Sequence, residues 1–283
     1  MNAPTAGSLR VSGASLHYEV RGRGPLLLLI PGGAGGAASF DGVADDLAAE
    51  YTVATYDPRG MSHSTLDDPG AEQRVAEHAD DAARILDLLS PGEPARVFGS
   101  SSGAIAAVHL LTTRPERVRR LVAHEPPLVE VLPDADEHRA LLVRVREALR
   151  TDGLMPAMAV FAAGLRRGGD VAEPTAGVGL PPQAAARAER TMANLPYFVE
   201  RIVPSFMSYA PDVDALEALS DRLVLAGGQD SRGELPYRPA ALLAERLGTE
   251  LLHFPGGHTG LTTHPAAFGE LLRAALRGPS QVE

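Results

Sequence analysis

Leu9 and Val11 alternate with polar neighbours, Ser12 and Gly13 supply a turn, and Leu16, Tyr18 and Val20 alternate again. A period of two over 9–20 predicts a two-stranded antiparallel edge. Leu26 to Ile30 is then continuously apolar and stops at Pro31, as expected of a strand buried on both faces. A glycine loop from Pro31 to Gly36 leads into a helical periodicity over Ala37–Glu50, with Phe40, Val43 and Leu47 on one face. Tyr51–Tyr56 makes the next strand and runs into the tight turn Asp57-Pro-Arg-Gly60. Arg74–Leu89 carries Val75, Ala79, Ala82, Leu86 and Leu89 at the spacing of an amphipathic helix. A strand over 95–99, a helix over 102–113 and a strand over Arg119–His124 follow, before Glu125-Pro-Pro127 breaks the sequence of elements.

From about 128 to 218 the strand–helix alternation disappears. Asp134 is placed to cap a helix with Leu141, Val145 and Leu149 on one face. Met155–Leu165, Gln183–Leu195 and Tyr197–Met207 also read as helices, with a Gly/Pro loop at 168–182. Alternation resumes with a strand over Arg222–Ala226, the loop Gly227-Gly-Gln-Asp230, a helix near 237–247 and a strand over 250–254. Gly256-Gly-His258 and a last helix over Ala266–Leu276 end the chain. Alternation with short loops implies a mostly parallel sheet covered on both faces. The expected organisation is an α/β core over 1–127 and 219–283 with an apolar helical cap over 128–218, packed in place or acting as a lid. In such sheets the active groups gather at the carboxyl ends of the strands.

Composition narrows the function classes. The net charge is −10, and the 26 basic residues, all arginine, form no cluster able to neutralise phosphates, so no nucleic-acid partner is expected. The absence of cysteine removes disulfides, thiol nucleophiles and thiolate metal sites. The first residues lack the basic and apolar regions of a signal peptide, and no apolar run approaches membrane-spanning length. A cytoplasmic protein with no membrane partner is the expectation, and nothing sets an oligomeric state. The glycine loop after Ile30 suggests a nucleotide site, but it lacks Gly-x-Gly-x-x-Gly spacing and the chain has no lysine to complete a phosphate loop. Histidines and carboxylates do not cluster at ligand spacing, so neither a metal nor another cofactor is expected.

Candidate chemistry centres on Ser101. In Gly99-Ser-Ser-Ser-Gly103 a strand turns abruptly into a helix, which requires nearly absent side chains two positions either side of the turn residue. The turn lifts the Ser101 hydroxyl above the sheet edge at the amino end of a helix, where free N–H groups can stabilise an oxyanion. Asp230 and His258 also lie just past strand ends, in the order serine, acid, histidine. A serine hydroxyl needs a base within hydrogen-bond reach, and the imidazole needs an acid to fix its tautomer. Glu125 is a substitute for Asp230 as that acid. His253 reads as a packed or edge histidine, while Ala34, Ser100, Glu125 and His63 are placed to line a pocket.

These segments resemble the α/β-hydrolase superfamily over nearly the whole chain. The matching motifs are Gly99-Ser-Ser-Ser-Gly103 as nucleophile elbow, Gly228-Gln-Asp230 after the penultimate core strand and Pro255-Gly-Gly-His258 after the last. Asp57-Pro-Arg-Gly-Met-Ser-His-Ser64 meets the family's Asp-x-Arg-Gly-x-Gly-x-Ser pattern except that Ser62 replaces a glycine, and Asp57 and Arg59 are read as shaping that turn. The resemblance implies a doubly wound, mostly parallel eight-stranded sheet with a helical cap. It also implies Ser101 as nucleophile, His258 as base and Asp230 as acid. The oxyanion hole would use the N–H of Ser102 and that of Gly33, with Ala34 as the neighbouring alternative because Pro31-Gly32 stands where many relatives have His-Gly.

The activity expected is metal-free serine hydrolysis of a small or medium carboxylic ester, lactone or thioester through an acyl-enzyme. Serine at the elbow argues against the dehalogenase and epoxide hydrolase branches, which use aspartate there. An aminopeptidase of the proline-iminopeptidase type, a carbon–carbon bond hydrolase and a cofactor-free haloperoxidase-like enzyme are the alternatives. A biosynthetic lyase or synthase and a non-catalytic small-molecule binder are further ones, and the intact triad disfavours the binder.

Overall fold

A computed structural model of the chain describes residues 3–166 and 182–278. Nine strands form one sheet: β1 (Thr5–Val11), β2 (Ala14–Arg21), β3 (Leu26–Ile30), β4 (Thr52–Tyr56), β5 (Thr65–Leu66), β6 (Ala95–Ser100), β7 (Val118–His124), β8 (Leu223–Gly228) and β9 (Leu252–Phe254). Eight of them follow the order β1-β2-β4-β3-β6-β7-β8-β9, and the two-residue β5 pairs β2 off that path. β1 and β2 form the antiparallel edge that their alternation requires, with Leu9 opposite Leu16, and β2 pairs antiparallel with β4. From β4 to β9 every neighbouring pair is parallel.

The helices are α1 (Asp41–Leu47), α2 (Val75–Leu89), α3 (Ser102–Thr113), α4 (Ala135–Thr151), α5 (Leu154–Leu165), α6 (Pro182–Tyr197), α7 (Val203–Met207), α8 (Val213–Ala218), α9 (Tyr237–Arg246), α10 (Gly260–Thr263) and α11 (Pro265–Arg277). Successive residues of β3 point to opposite faces, and the core divides accordingly. Leu26, Leu28 and Ile30 join a cluster with α2, α3 and the helical segment after β7, while Leu27 and Leu29 join Phe40, Val43, Phe98, Phe254 and Phe268 under α1 and α11. On α2, Val75, Ala79, Ala82 and Leu86 are buried as their spacing demands.

Three local expectations change. The helix read over 37–50 is split: Ala37–Phe40 is a 3₁₀ turn, whose first N–H donates 2.8 Å to the Asp57 carboxylate, and only Asp41–Leu47 is α-helical. Asp134 stands at the N-cap of α4 but does not cap it, since its carboxylate takes Arg238 at 2.8 Å instead. The helix read over Tyr197–Met207 begins as the end of α6 and crosses a π-helical turn at Phe198–Ile202 before α7. Pro196 and Pro204 each remove one N–H from the ladder there, and a widened turn is a way of re-registering it. The loop at 168–182 lies outside the described residues except at its last position, where α6 begins.

Candidate active site

Register aligns the strand ends. Ile30 pairs Gly99, Ser100 pairs His124, His124 pairs Ala226, and Gly228 pairs Phe254. The residues just beyond those positions therefore share one edge of the sheet.

Ser101 sits between β6 and α3 with φ 53° and ψ −123°, a conformation that side-chain-bearing residues rarely adopt. Its backbone is held on both sides: the N–H donates 2.9 Å to the His124 carbonyl, and its own carbonyl accepts from Ala104 and Ile105. The flanking glycines are a steric requirement. A Cβ at Gly99 would lie 2.7 Å from the Ala104 Cα, and one at Gly103 would lie 2.4 Å from the Ile30 carbonyl oxygen. The Ser101 Oγ is 3.1 Å from His258 Nε2. His258 arrives on the loop after β9 and is half-buried.

The acid on the imidazole is Glu125, not Asp230. His258 Nδ1 lies 2.6 Å from Glu125 Oε2. The other carboxylate oxygen, Oε1, accepts the Gly228 N–H at 2.8 Å and the Ser231 hydroxyl. Glu125 is fully buried, with φ 47°, and its N–H donates 2.9 Å to the Ala226 carbonyl. That left-handed turn at the end of β7 aims the side chain across the end of β8. Asp230 instead points to solvent: its N–H is tied 3.0 Å to the Gly256 carbonyl, and its carboxylate makes no hydrogen bond to His258. Burial works to raise the Glu125 pKa, but hydrogen bonds from His258 and Ser231 and the charges of the His258 and His124 imidazoles outweigh it and hold the carboxyl below its ordinary range. Sequence reading took the acid after the penultimate strand because the Gly-Gln-Asp motif stands there. The available contrary signal was an acid abutting the apolar run of β7.

In the loop expected to supply the second oxyanion donor, Gly33 is already engaged. Its N–H donates 3.0 Å to the Ser102 Oγ and is committed in this state. The Ala34 N–H has no hydrogen-bond partner among the described residues, nor has that of Ser102, the first residue of α3. Gly32–Gly35 is closed as a turn by the Gly35 N–H on the Gly32 carbonyl, 3.1 Å. The Ala34 carbonyl accepts from Asn194 of α6, a contact that no motif announced.

A cavity of about 630 Å³ lies behind this loop, bordered among others by Ala34, Gly36, Asp57, Ser62, His63 and Asn194; its walls do not reach Ser101. Ala34 and His63 border this cavity, away from Ser101. Ser100 closes β6 half-buried, and Glu125 is interior to the triad rather than a pocket wall. His253 bonds the Tyr237 hydroxyl at 2.8 Å, an edge role. His124 is buried against Phe254 and Phe268, and burial pushes its pKa down to about 4, with the neighbouring His258 adding to the shift and Glu125 opposing it.

The fold also brings His17, Asp57 and His63 within 4.8 Å of one another, a grouping invisible in linear spacing. The Asp57 carboxylate is already taken up by the Ala37 N–H, the His63 N–H at 3.1 Å and the His63 Nδ1 at 2.9 Å, so it acts as the hub of its turn. No helix among the described residues is long and apolar enough to cross a membrane.

Comparison with known proteins bears on the family and the fold. A family model described as alpha/beta hydrolase fold matches residues 25–171. The chain is 36% identical to an uncharacterized hydrolase, YraK, of Bacillus subtilis (strain 168), covering 95% of both chains. It is 36% identical over 119 residues to the zearalenone hydrolase of Bionectria ochroleuca, 41% of this chain and 45% of that one. A thermophilic esterase from Thermogutta terrifontis superposes with TM-score 0.71 at 20% identity, covering 98% of each chain.

Proposed function

From the premise that this chain belongs to the alpha/beta hydrolase family, we propose that it is a serine esterase acting on carboxylic esters of small or medium size, lactones and thioesters included. The observation that carries this reading is the unbroken relay from Ser101 Oγ to His258 Nε2, and from His258 Nδ1 to the buried Glu125.

The chemistry follows from the protonation states that the relay enforces. Glu125 holds the proton of the neutral imidazole on Nδ1, which leaves the Nε2 lone pair facing the Ser101 hydroxyl. As Ser101 Oγ attacks the ester carbonyl, Nε2 takes its proton, and the imidazolium that forms is stabilised by the carboxylate 2.6 Å away. The oxyanion is met by the Ser102 N–H at the start of α3 and by an N–H of the 33–34 turn. Nε2 then protonates the departing alkoxide, and a water deprotonated by the same nitrogen releases the acid and restores Ser101. In this reading the helices between β7 and β8 form a lid that keeps bulk water from the acyl-enzyme.

Labelling with a fluorophosphonate probe and turnover of p-nitrophenyl esters test the proposal. The wild type should label at Ser101, and Ser101→Ala should lose turnover by about 10⁴-fold or more while melting normally. Retention of full esterase activity in Ser101→Ala would reject the assignment.

A further inference from the structure

The side-chain amide of Asn194, on α6, spends its hydrogen-bonding capacity on the loop that must supply oxyanion donors. Nδ2 donates 2.9 Å to the Ala34 carbonyl and 3.0 Å to Ser62 Oγ, and Oδ1 accepts the Ser62 N–H at 2.9 Å. Asn194 is 6% exposed. The amide orientation is determined by its neighbours, since a flipped group would set its oxygen against the Ala34 carbonyl and its NH₂ against the Ser62 N–H. Ser62 in turn adopts φ 51° and packs beside Gly36, within the turn whose Asp57 carboxylate accepts the Ala37 N–H. Residues 33–37 are therefore fixed at three points: Gly33 by Ser102, Ala34 by Asn194, and Ala37 by Asp57.

Of these three contacts, two come from the core and one from the helical segment between β7 and β8. We infer that Asn194 is a positioning residue for the oxyanion hole: its amide, delivered by α6, holds the Ala34–Gly35 peptide, one Cα away from the Ala34 N–H, so that the hole is complete only when that helix is seated. The inference rests on the esterase reading and says how the lid enters it. A donor displaced by a fraction of an ångström from the oxyanion loses much of its value, because the stabilisation is electrostatic and directional. Asn194 touches neither substrate nor the reacting atoms. Its effect runs through Ala34, so it should appear in the transition state and not in ground-state binding.

The test uses the full-length protein. Asn194→Asp is isosteric and still accepts the Ser62 N–H, but a carboxylate cannot donate to Ala34 and repels its carbonyl. The expected result is a kcat lowered about tenfold to a hundredfold with KM within about twofold, part of the two to three powers of ten that a lost oxyanion donor costs. The affinity of a boronic acid, which forms a tetrahedral adduct on serine, should fall in parallel with kcat/KM. Met192→Ala, at an exposed position on the same helix, leaves the Ala34 contact in place and should stay within about threefold of the wild-type kcat. Should Asn194→Asp not fold, Asn194→Leu fills the same volume without a donor and is read instead. A folded variant with unchanged kcat and boronate affinity overturns the inference, as does one in which only KM rises. A wild type that neither labels with fluorophosphonate nor turns over any ester is a failure of the esterase reading itself, and that result precedes any variant.

Discussion

Ser101, Glu125 and Ser62 hold left-handed backbone conformations without being glycine, and all three lie at the site or on its supporting turn. Such a conformation costs about 1–2 kcal/mol for a residue with a Cβ, so each must be over-determined by its surroundings. For Ser62 the compensation includes the bond its hydroxyl accepts from Asn194 Nδ2, which a glycine there would lack, beside a backbone N–H bond that either residue makes. For Glu125 the compensation is the reach it gains across the end of β8. Glu125→Gln keeps the shape but cannot stabilise the imidazolium or enforce the tautomer, and kcat should fall by roughly 10²–10⁴-fold. Asp230→Asn, at an exposed position, should leave ester turnover within about twofold, as surface substitutions do. Steady-state kinetics of the two variants distinguishes the acid that the geometry selects from the one the motif suggests.

The Asp57–Ser64 turn and α2 are joined by Arg59, which binds Asp81 through two parallel hydrogen bonds of 2.7 and 2.6 Å with both groups buried. This is how the family motif contributes without touching chemistry: it locks the turn that carries Asp57 and Ser62 onto a core helix. Removing one partner strands a buried charge. Arg59→Met should lower the unfolding free energy by about 3–5 kcal/mol, and Arg59→Met combined with Asp81→Leu should recover most of it. Denaturant unfolding of the single and double variants measures this. At the same scale, α6 owes its position partly to Asn194, so a helix read from periodicity alone turns out to carry a contact to the oxyanion loop.

The sheet gathers its chemistry at one edge, and the buried Glu125 links that edge to acid stability. Its folded pKa is depressed, so its contribution is fully present above the unfolded glutamate value, about 4.3, and is lost as pH falls through the lower folded value. The stability difference between wild type and Glu125→Gln should therefore be constant at neutral pH and shrink below about pH 4.3, because the other carboxylates are common to both proteins. Chemical denaturation across that range checks the sign, and a gap that grows on acidification would contradict it.

Periodicity alone determined nearly all of the strands and helices, because burial on one or both faces of a parallel sheet writes itself into local sequence as periods of 2 and 3.6. The glycine-flanked turn after β6 and the strand-end loop after β9 singled out Ser101 and His258, which the fold brings 3.1 Å apart. What the sequence could not determine was which acid meets the imidazole. Glu125 and Asp230 follow adjacent strands, and the choice between them depends on a left-handed turn at Glu125 and on acceptance of the Gly228 and Ser231 donors. The bond from Asn194 to Ala34 and the meeting of His17 with Asp57 and His63 were likewise hidden. These contacts join groups far apart along the chain, where direction and distance are set by packing. Hydrophobic patterning is a one-dimensional signal of burial, whereas a hydrogen bond is a three-dimensional coincidence of donor and acceptor, and only the folded molecule decides it.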